Sequence, residues 1–146
     1  MQKIVFACVH NAGRSQMAAA WFNHLRNLQP SNSRPHTSDS REAGSEPVVA
    51  ISAGTSPGDR VHPEVVEVMR EAGLDLSTAR PQQLTRELLE GATLLVTMGC
   101  GDKCPYVPGL KVEDWPLEDP KGKPIERVRQ IRDEIKQRVE ELVRRI

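Results

Sequence analysis

The chain has 146 residues, 20 of them Lys or Arg and 20 Asp or Glu, so its formal net charge is zero. That length suits one domain, 1–146, with a real core, and the charge balance argues against a nucleic-acid or membrane-surface partner. Three cysteines are an odd number and make no disulfide framework. With no signal-peptide pattern and no membrane-length apolar run, they point to a cytoplasmic protein whose thiols do chemistry or bind metal.

Charge is uneven along the chain. Residues 1–38 hold Lys3, Arg14, Arg26 and Arg34 and no carboxylate, a bias that either draws anions toward the first loop or reflects a solvated helix face. Residues 3–8 are a nearly continuous apolar run, which predicts a strand covered on both faces. Residues 16–28 repeat Met17, Ala20, Trp21, His24 and Leu25 at helical spacing. Between them lies Cys8-Val9-His10-Asn11-Ala12-Gly13-Arg14-Ser15. A turn from a buried strand into a helix leaves backbone N–H groups unpaired, and the helix dipole adds positive potential there. The loop therefore reads as an oxyanion site, with Cys8 as nucleophile and Arg14 as a fork that meets two oxygens at once. The same positive surroundings favour the reactive thiolate of Cys8. Gly13 fits a sharp turn or a close approach of backbone to the anion. Asn11 is read as holding the loop through its side chain, Ser15 as an N-cap or a donor to Cys8, and His10 as a bystander on the loop.

Residues 29–47 are rich in Ser, Pro, Asn and Gly and almost empty of large apolar side chains, which predicts a flexible insertion. Residues 48–52 read as a second strand ending at Ala53-Gly54-Thr55. His62-Pro63 opens a helix with Val65, Val66, Val68 and Met69 inward, and Gly73 ends it. Leu84, Leu88 and Leu89 mark a short helix that stops at Gly91. Residues 93–98 form a third strand and 110–113 a weaker fourth. Finally Ile125, Val128, Ile131, Ile135, Val139, Leu142 and Ile146 step by three and four along a long last helix. Strands alternating with helices predict an α/β doubly wound parallel sheet. In such a sheet ligands sit at the carboxyl ends of the strands. The first loop, Ala53-Gly54-Thr55, the 99–105 segment and the Asp119 loop should then share one rim.

Two further motifs carry chemistry. Asp119-Pro120 offers a candidate general acid, with Asp114 and Glu118 as competing carboxylates. Cys100 and Cys104 could be zinc ligands, redox partners or bystanders. Zinc would need two more ligands, and Cys8 and His10 already belong to the anion loop, so the redox reading is preferred and no metal is expected. Positions i and i+4 on a helix hold their Cβ atoms ~5–6 Å apart, against the roughly 3.5–4.5 Å of a disulfide, so bonding the pair should distort a helical segment.

Taken together, Cys8 to Ser15 with Gln16-Met17, Ile51-Ser52-Ala53-Gly54-Thr55, Val96-Thr97-Met98-Gly99-Cys100 through Cys104-Pro105, and Trp115 to Pro120 resemble the arsenate reductases of low-molecular-weight protein tyrosine phosphatase type. The resemblance covers all but the 29–47 insertion. It implies a flavodoxin-like sheet of four parallel strands flanked by helices, and reduction of arsenate to arsenite in arsenic detoxification. It further implies that arsenate lies on residues 9–15, that Cys8 attacks arsenic and that Asp119 protonates the departing oxygen. Cys100 then attacks the Cys8 sulfur, and Cys104 resolves that bond to leave Cys100–Cys104 for an external reductant, thioredoxin by preference. No metal or organic cofactor is implied, and the expected assembly is a monomer or weak homodimer. In the best-known thioredoxin-coupled members the two later cysteines are farther apart, and some relatives use a small thiol such as mycothiol instead. The rival enzyme reading is a phosphomonoester hydrolase, which has no need of Cys100 and Cys104. A single Tyr and two Phe also supply little aromatic wall for a phosphotyrosine ring. A non-enzymatic alternative is a thiol sensor or arsenite-binding module.

Overall fold

Alternation along the first strand sets the layers. β1 (Gln2–Cys8) sends Ile4, Phe6 and Cys8 to one face of the sheet and Val5 and Ala7 to the other, and all five are buried. In the computed structural model, which describes residues 2–27, 48–99 and 107–145, β1 is followed by α1 (Arg14–Asn27), β2 (Val48–Gly54), α2 (Pro63–Glu71), α3 (Arg86–Leu89), β3 (Ala92–Thr97), β4 (Lys111–Asp114) and α4 (Ile125–Arg145). The strands form one sheet in the order β2-β1-β3-β4, every pairing parallel. The expected four-stranded parallel α/β sheet is thus the observed one.

The larger core layer sits under α1, α2 and α4. Met17, Trp21 and Phe22 of α1, Val65, Val68 and Met69 of α2, and Val128, Ile131, Ile135, Val139 and Leu142 of α4 bury against Ile4, Phe6 and Val96. This is the three-and-four spacing of the sequence turned into one apolar stripe per helix. The opposite layer is thinner: Val5, Ala7, Ala53, Leu84, Leu89 and Leu95. The aromatic ring of Phe6 links α1 to the site side of the sheet, with ring centroids 6.2 Å from Phe22 and 5.7 Å from Trp115.

Element ends moved where local bonds outvoted periodicity. β2 runs two residues past Ser52, because Ala53 and Gly54 pair with Ala7 and Cys8. Leu84 is not helical: its N–H donates to Gly54 O at 2.8 Å, and Thr85 caps the next turn by accepting from Leu88 N at 3.0 Å. β4 lies one residue later than 110–113. The 29–47 insertion lies outside the described residues. No helix among the described residues is long and apolar enough to cross a membrane.

Candidate active site

Cys8 ends β1, is buried, and opens the turn into α1. The carbonyls of this turn are all engaged. Those of Cys8, Val9 and His10 accept from the N–H groups of Thr55, Ser56 and Gly58 at 3.2, 2.8 and 2.9 Å, and that of Ala12 accepts from His62 at 2.9 Å. Gly13 O accepts from Met17 N at 3.0 Å, and Asn11 O from Gln16 Nε2 at 3.1 Å. None of the N–H groups of residues 9–13 donates to a protein acceptor among the described residues. Carbonyls held by one neighbour and amides left over make a nest for an anion at the start of a helix. The loop after β2 therefore works as a brace, and Gly54 is what lets it close. A Cβ there would stand 2.6 Å from Val9 O and 2.8 Å from Asn11 N, both backbone atoms. Gly54→Ala should cost about 1–3 kcal/mol of stability in urea unfolding and loosen the loop, read as faster alkylation of Cys8.

A side-chain chain fixes the sulfur. Asn11 adopts a left-handed φ of 51°, a conformation that Asn tolerates better than most residues. Its Nδ2 donates to Ser15 Oγ at 2.8 Å, and its Oδ1 accepts from Gln82 N at 2.9 Å and Gln16 Nε2 at 3.2 Å. Ser15 Oγ lies 2.9 Å from Cys8 Sγ. Because Asn11 supplies the hydrogen on its side of that oxygen, the hydroxyl proton is free to point at the sulfur. Ser15 is therefore a sulfur partner and not an N-cap; α1 begins one residue earlier, at Arg14.

Arg14 is 8% exposed and points toward the ends of β3 and β4. Its Nη1 donates to Leu117 O at 3.0 Å, and its Nη2 is 3.8 Å from Asp119 Oδ2. Gly99 closes against the same guanidinium: its φ is +95°, and a Cβ would lie 2.7 Å from Arg14 Nη1. The loop carrying Asp119 is anchored by buried Trp115, whose N–H donates to Thr97 O at 2.8 Å and whose Nε1 donates to Glu113 Oε1 at 3.1 Å. Pro120 folds it over the first loop, its Cγ 3.0 Å from where a Cβ on Gly13 would stand.

Geometry separates the three carboxylates that sequence left in competition. Asp114 Oδ1 accepts from Thr97 Oγ1 at 2.8 Å. Glu118 pairs with Arg127 and Lys123, and the hydrogen bond from Arg127 holds its carboxyl below the usual value. Asp119 faces Arg14 and, among the described residues, accepts only from Lys121 N at 3.0 Å. It is the one of the three at the anion loop. The structure thus brings Cys8, the 9–13 turn, Arg14, Ser15 and Asp119 together on one rim with Thr55 and Gly99. Cys100 and Cys104 lie outside the described residues.

Sequence reasoning missed Gln16, Gln82 and the 55–62 brace, and it treated His62 only as a helix opener. A glutamine after Arg-Ser carries no signal of its own, since its role depends on carbonyls that come from elsewhere: Gln16 Nε2 also reaches Arg80 O at 3.2 Å. His62 is half-buried, and burial holds its imidazole below the usual value while Asp119 and Glu64 pull it upward.

Comparison with known proteins agrees with this geometry. The family model of low molecular weight phosphotyrosine protein phosphatases matches residues 36–146. A "putative arsenate reductase" of Halobacterium salinarum is 42% identical over 140 residues, covering 96% of this chain and 89% of that protein. The glutaredoxin arsenate reductase of Synechocystis is 30% identical over 149 residues, covering 100% and 99%. Among solved structures, the thioredoxin-dependent arsenate reductase of Corynebacterium glutamicum superposes with a TM-score of 0.71 at 37% identity; the match covers 97% of this chain and 60% of that longer one. The chain belongs to the low molecular weight phosphotyrosine protein phosphatase family, and its similarity runs to that family's arsenate reductases.

Proposed function

We propose that this chain reduces arsenate to arsenite, using Cys8 as nucleophile and a thiol relay that ends on an external dithiol reductant. The observation that carries the reading is the first loop. Its carbonyls are occupied and its amides unclaimed, around a buried sulfur that already has a hydroxyl partner. A tetrahedral oxyanion seated there gains the loop amides and the Arg14 fork. The Cys8 thiolate then bonds to arsenic, and Asp119 gives its proton to the departing oxygen.

Reduction needs two electrons, which come from sulfur. A second thiolate, assigned to Cys100, attacks Cys8; the Cys8–arsenic bond breaks, its electron pair stays on arsenic, and arsenite leaves. Cys104 exchanges into the Cys8–Cys100 bond and frees Cys8 as thiolate. In sequence Cys100 follows Gly99, whose backbone lies against Arg14, which supports bringing the second thiol to this loop. The similarity to a glutaredoxin arsenate reductase and a thioredoxin-dependent arsenate reductase favours a protein dithiol as final reductant. These steps draw on side chains and that reductant, without metal or organic cofactor.

The test is arsenate-dependent oxidation of NADPH, run with thioredoxin and its reductase, with glutaredoxin and glutathione, and with mycothiol in separate arms. Turnover in the thioredoxin or glutaredoxin arm is expected. Hydrolysis of an aryl phosphate with no arsenate turnover in any arm would overturn the proposal.

A further inference from the structure

Each peptide unit of the anion loop has its carbonyl held from outside the nest, and all but one are held by main chain. Cys8 O, Val9 O, His10 O and Ala12 O accept from the N–H groups of Thr55, Ser56, Gly58 and His62, and Gly13 O accepts from that of Met17. The exception is the unit between Asn11 and Ala12. Among the described residues, Asn11 O accepts only from the Gln16 side chain, at 3.1 Å. Gln16 is buried, and its Nε2 also stands 3.2 Å from Asn11 Oδ1 and 3.2 Å from Arg80 O. Asn11 Oδ1 has a second anchor in Gln82 N at 2.9 Å; the main-chain oxygen has none among the described residues. In a trans peptide the C=O and the following N–H point opposite ways, and none of the described peptide bonds is cis. Tying Asn11 O back therefore turns the Ala12 N–H forward, with the other N–H groups of residues 9–13 that no described protein acceptor takes.

We infer that Gln16 is a positioning residue for oxyanion binding: its side-chain amide fixes the Asn11–Ala12 peptide, so that the Ala12 N–H joins the nest. The inference rests on the reading above, since it concerns how the same loop takes its oxyanion. It sets Gln16 apart from the braces around it. A main-chain donor outlasts most substitutions, so the other peptide units are fixed by the fold, whereas this one depends on the identity of one side chain. Asn11 is fully buried, so its carbonyl cannot turn to water where it stands. Without the Gln16 donor the carbonyl is a buried acceptor with no partner, which is costly. Rotating the peptide relieves that cost and takes the Ala12 N–H off the anion.

The probe is inorganic phosphate, followed by amide NMR in the native chain and in Gln16→Met, which keeps the length of the side chain and loses its donor. In the native chain the Ala12 amide should shift on phosphate binding together with those of Val9, His10 and Gly13. In the variant those three should still shift, the Ala12 response should be lost, and phosphate affinity should fall about tenfold. Gln16→Glu has the shape of the native side chain but sets an acceptor against three acceptors, so it should lose the Ala12 response as well. A native Ala12 amide that ignores phosphate would overturn the inference, and so would an Ala12 response that persists in either variant. Loss of all the nest responses together would also overturn it, because Gln16 would then support the whole loop and not one peptide. A native chain that binds phosphate in this way yet reduces no arsenate would overturn the functional reading and leave the inference standing.

Discussion

Cys8→Ser is expected to lower arsenate reduction by about ten thousandfold or more, to the background of the assay, while leaving oxyanion binding in place. A hydroxyl at this position is almost wholly protonated near neutral pH and is a far weaker nucleophile toward arsenic. It also gives the second thiol no sulfur to attack, so both halves of the reaction are lost together. Binding should survive because the anion nest comes from backbone amides of residues 9–13, whose geometry is set by donors on Thr55, Ser56, Gly58, His62 and Gln16. None of those bonds uses the Cys8 side chain. Isothermal titration with phosphate should therefore show near-native affinity in a variant with no measurable arsenite production. Residual turnover near the native level would mean that another group attacks arsenic.

Arg14→Lys should cost about a hundredfold to a thousandfold in kcat/KM, although the charge is kept. Arg14 does three things that an ammonium cannot do at once. It ties Leu117 O to the first loop at 3.0 Å, stands beside Asp119, and presents a planar edge against Gly99. A lysine there offers a point charge on a flexible stem, so the loop after β4 loses its tie and the oxyanion loses its bidentate partner. The loss should fall on both KM and kcat. A fall confined to KM would mean that Arg14 binds the anion but adds nothing to the transition state.

The sheet was legible because its strands are continuous apolar runs and its long helix is strictly periodic. The three-and-four spacing of Val128, Ile131, Ile135, Val139 and Leu142 marks one face, and that face is buried. The first loop was legible for a different reason: Cys8, Gly13 and Arg14 keep a fixed spacing between a strand and a helix, so local sequence carries the turn. What lay beyond reach is what comes from distant chain. The choice of Asp119 over Asp114 and Glu118 depends on Thr97, Arg127 and Lys123 occupying the other two carboxylates. Gln82 reaches Asn11 across 71 residues of sequence, and nothing near either residue announces it. Ser15 was legible in part, as a residue with two possible roles, because its hydroxyl is committed only once Asn11 turns into the left-handed region.

A single turnover with no reductant present tests the thiol relay most directly. Fully reduced protein is mixed with excess arsenate and quenched, arsenite is counted by arsenic speciation, and free thiols and cysteine pairing are read by mass spectrometry. The three-thiol relay predicts one arsenite released per chain, loss of two thiols, and a Cys100–Cys104 disulfide, shifting to Cys8–Cys100 in Cys104→Ser. Arsenite that appears only after a small thiol is added, with all three cysteines of the chain still reduced, would contradict it.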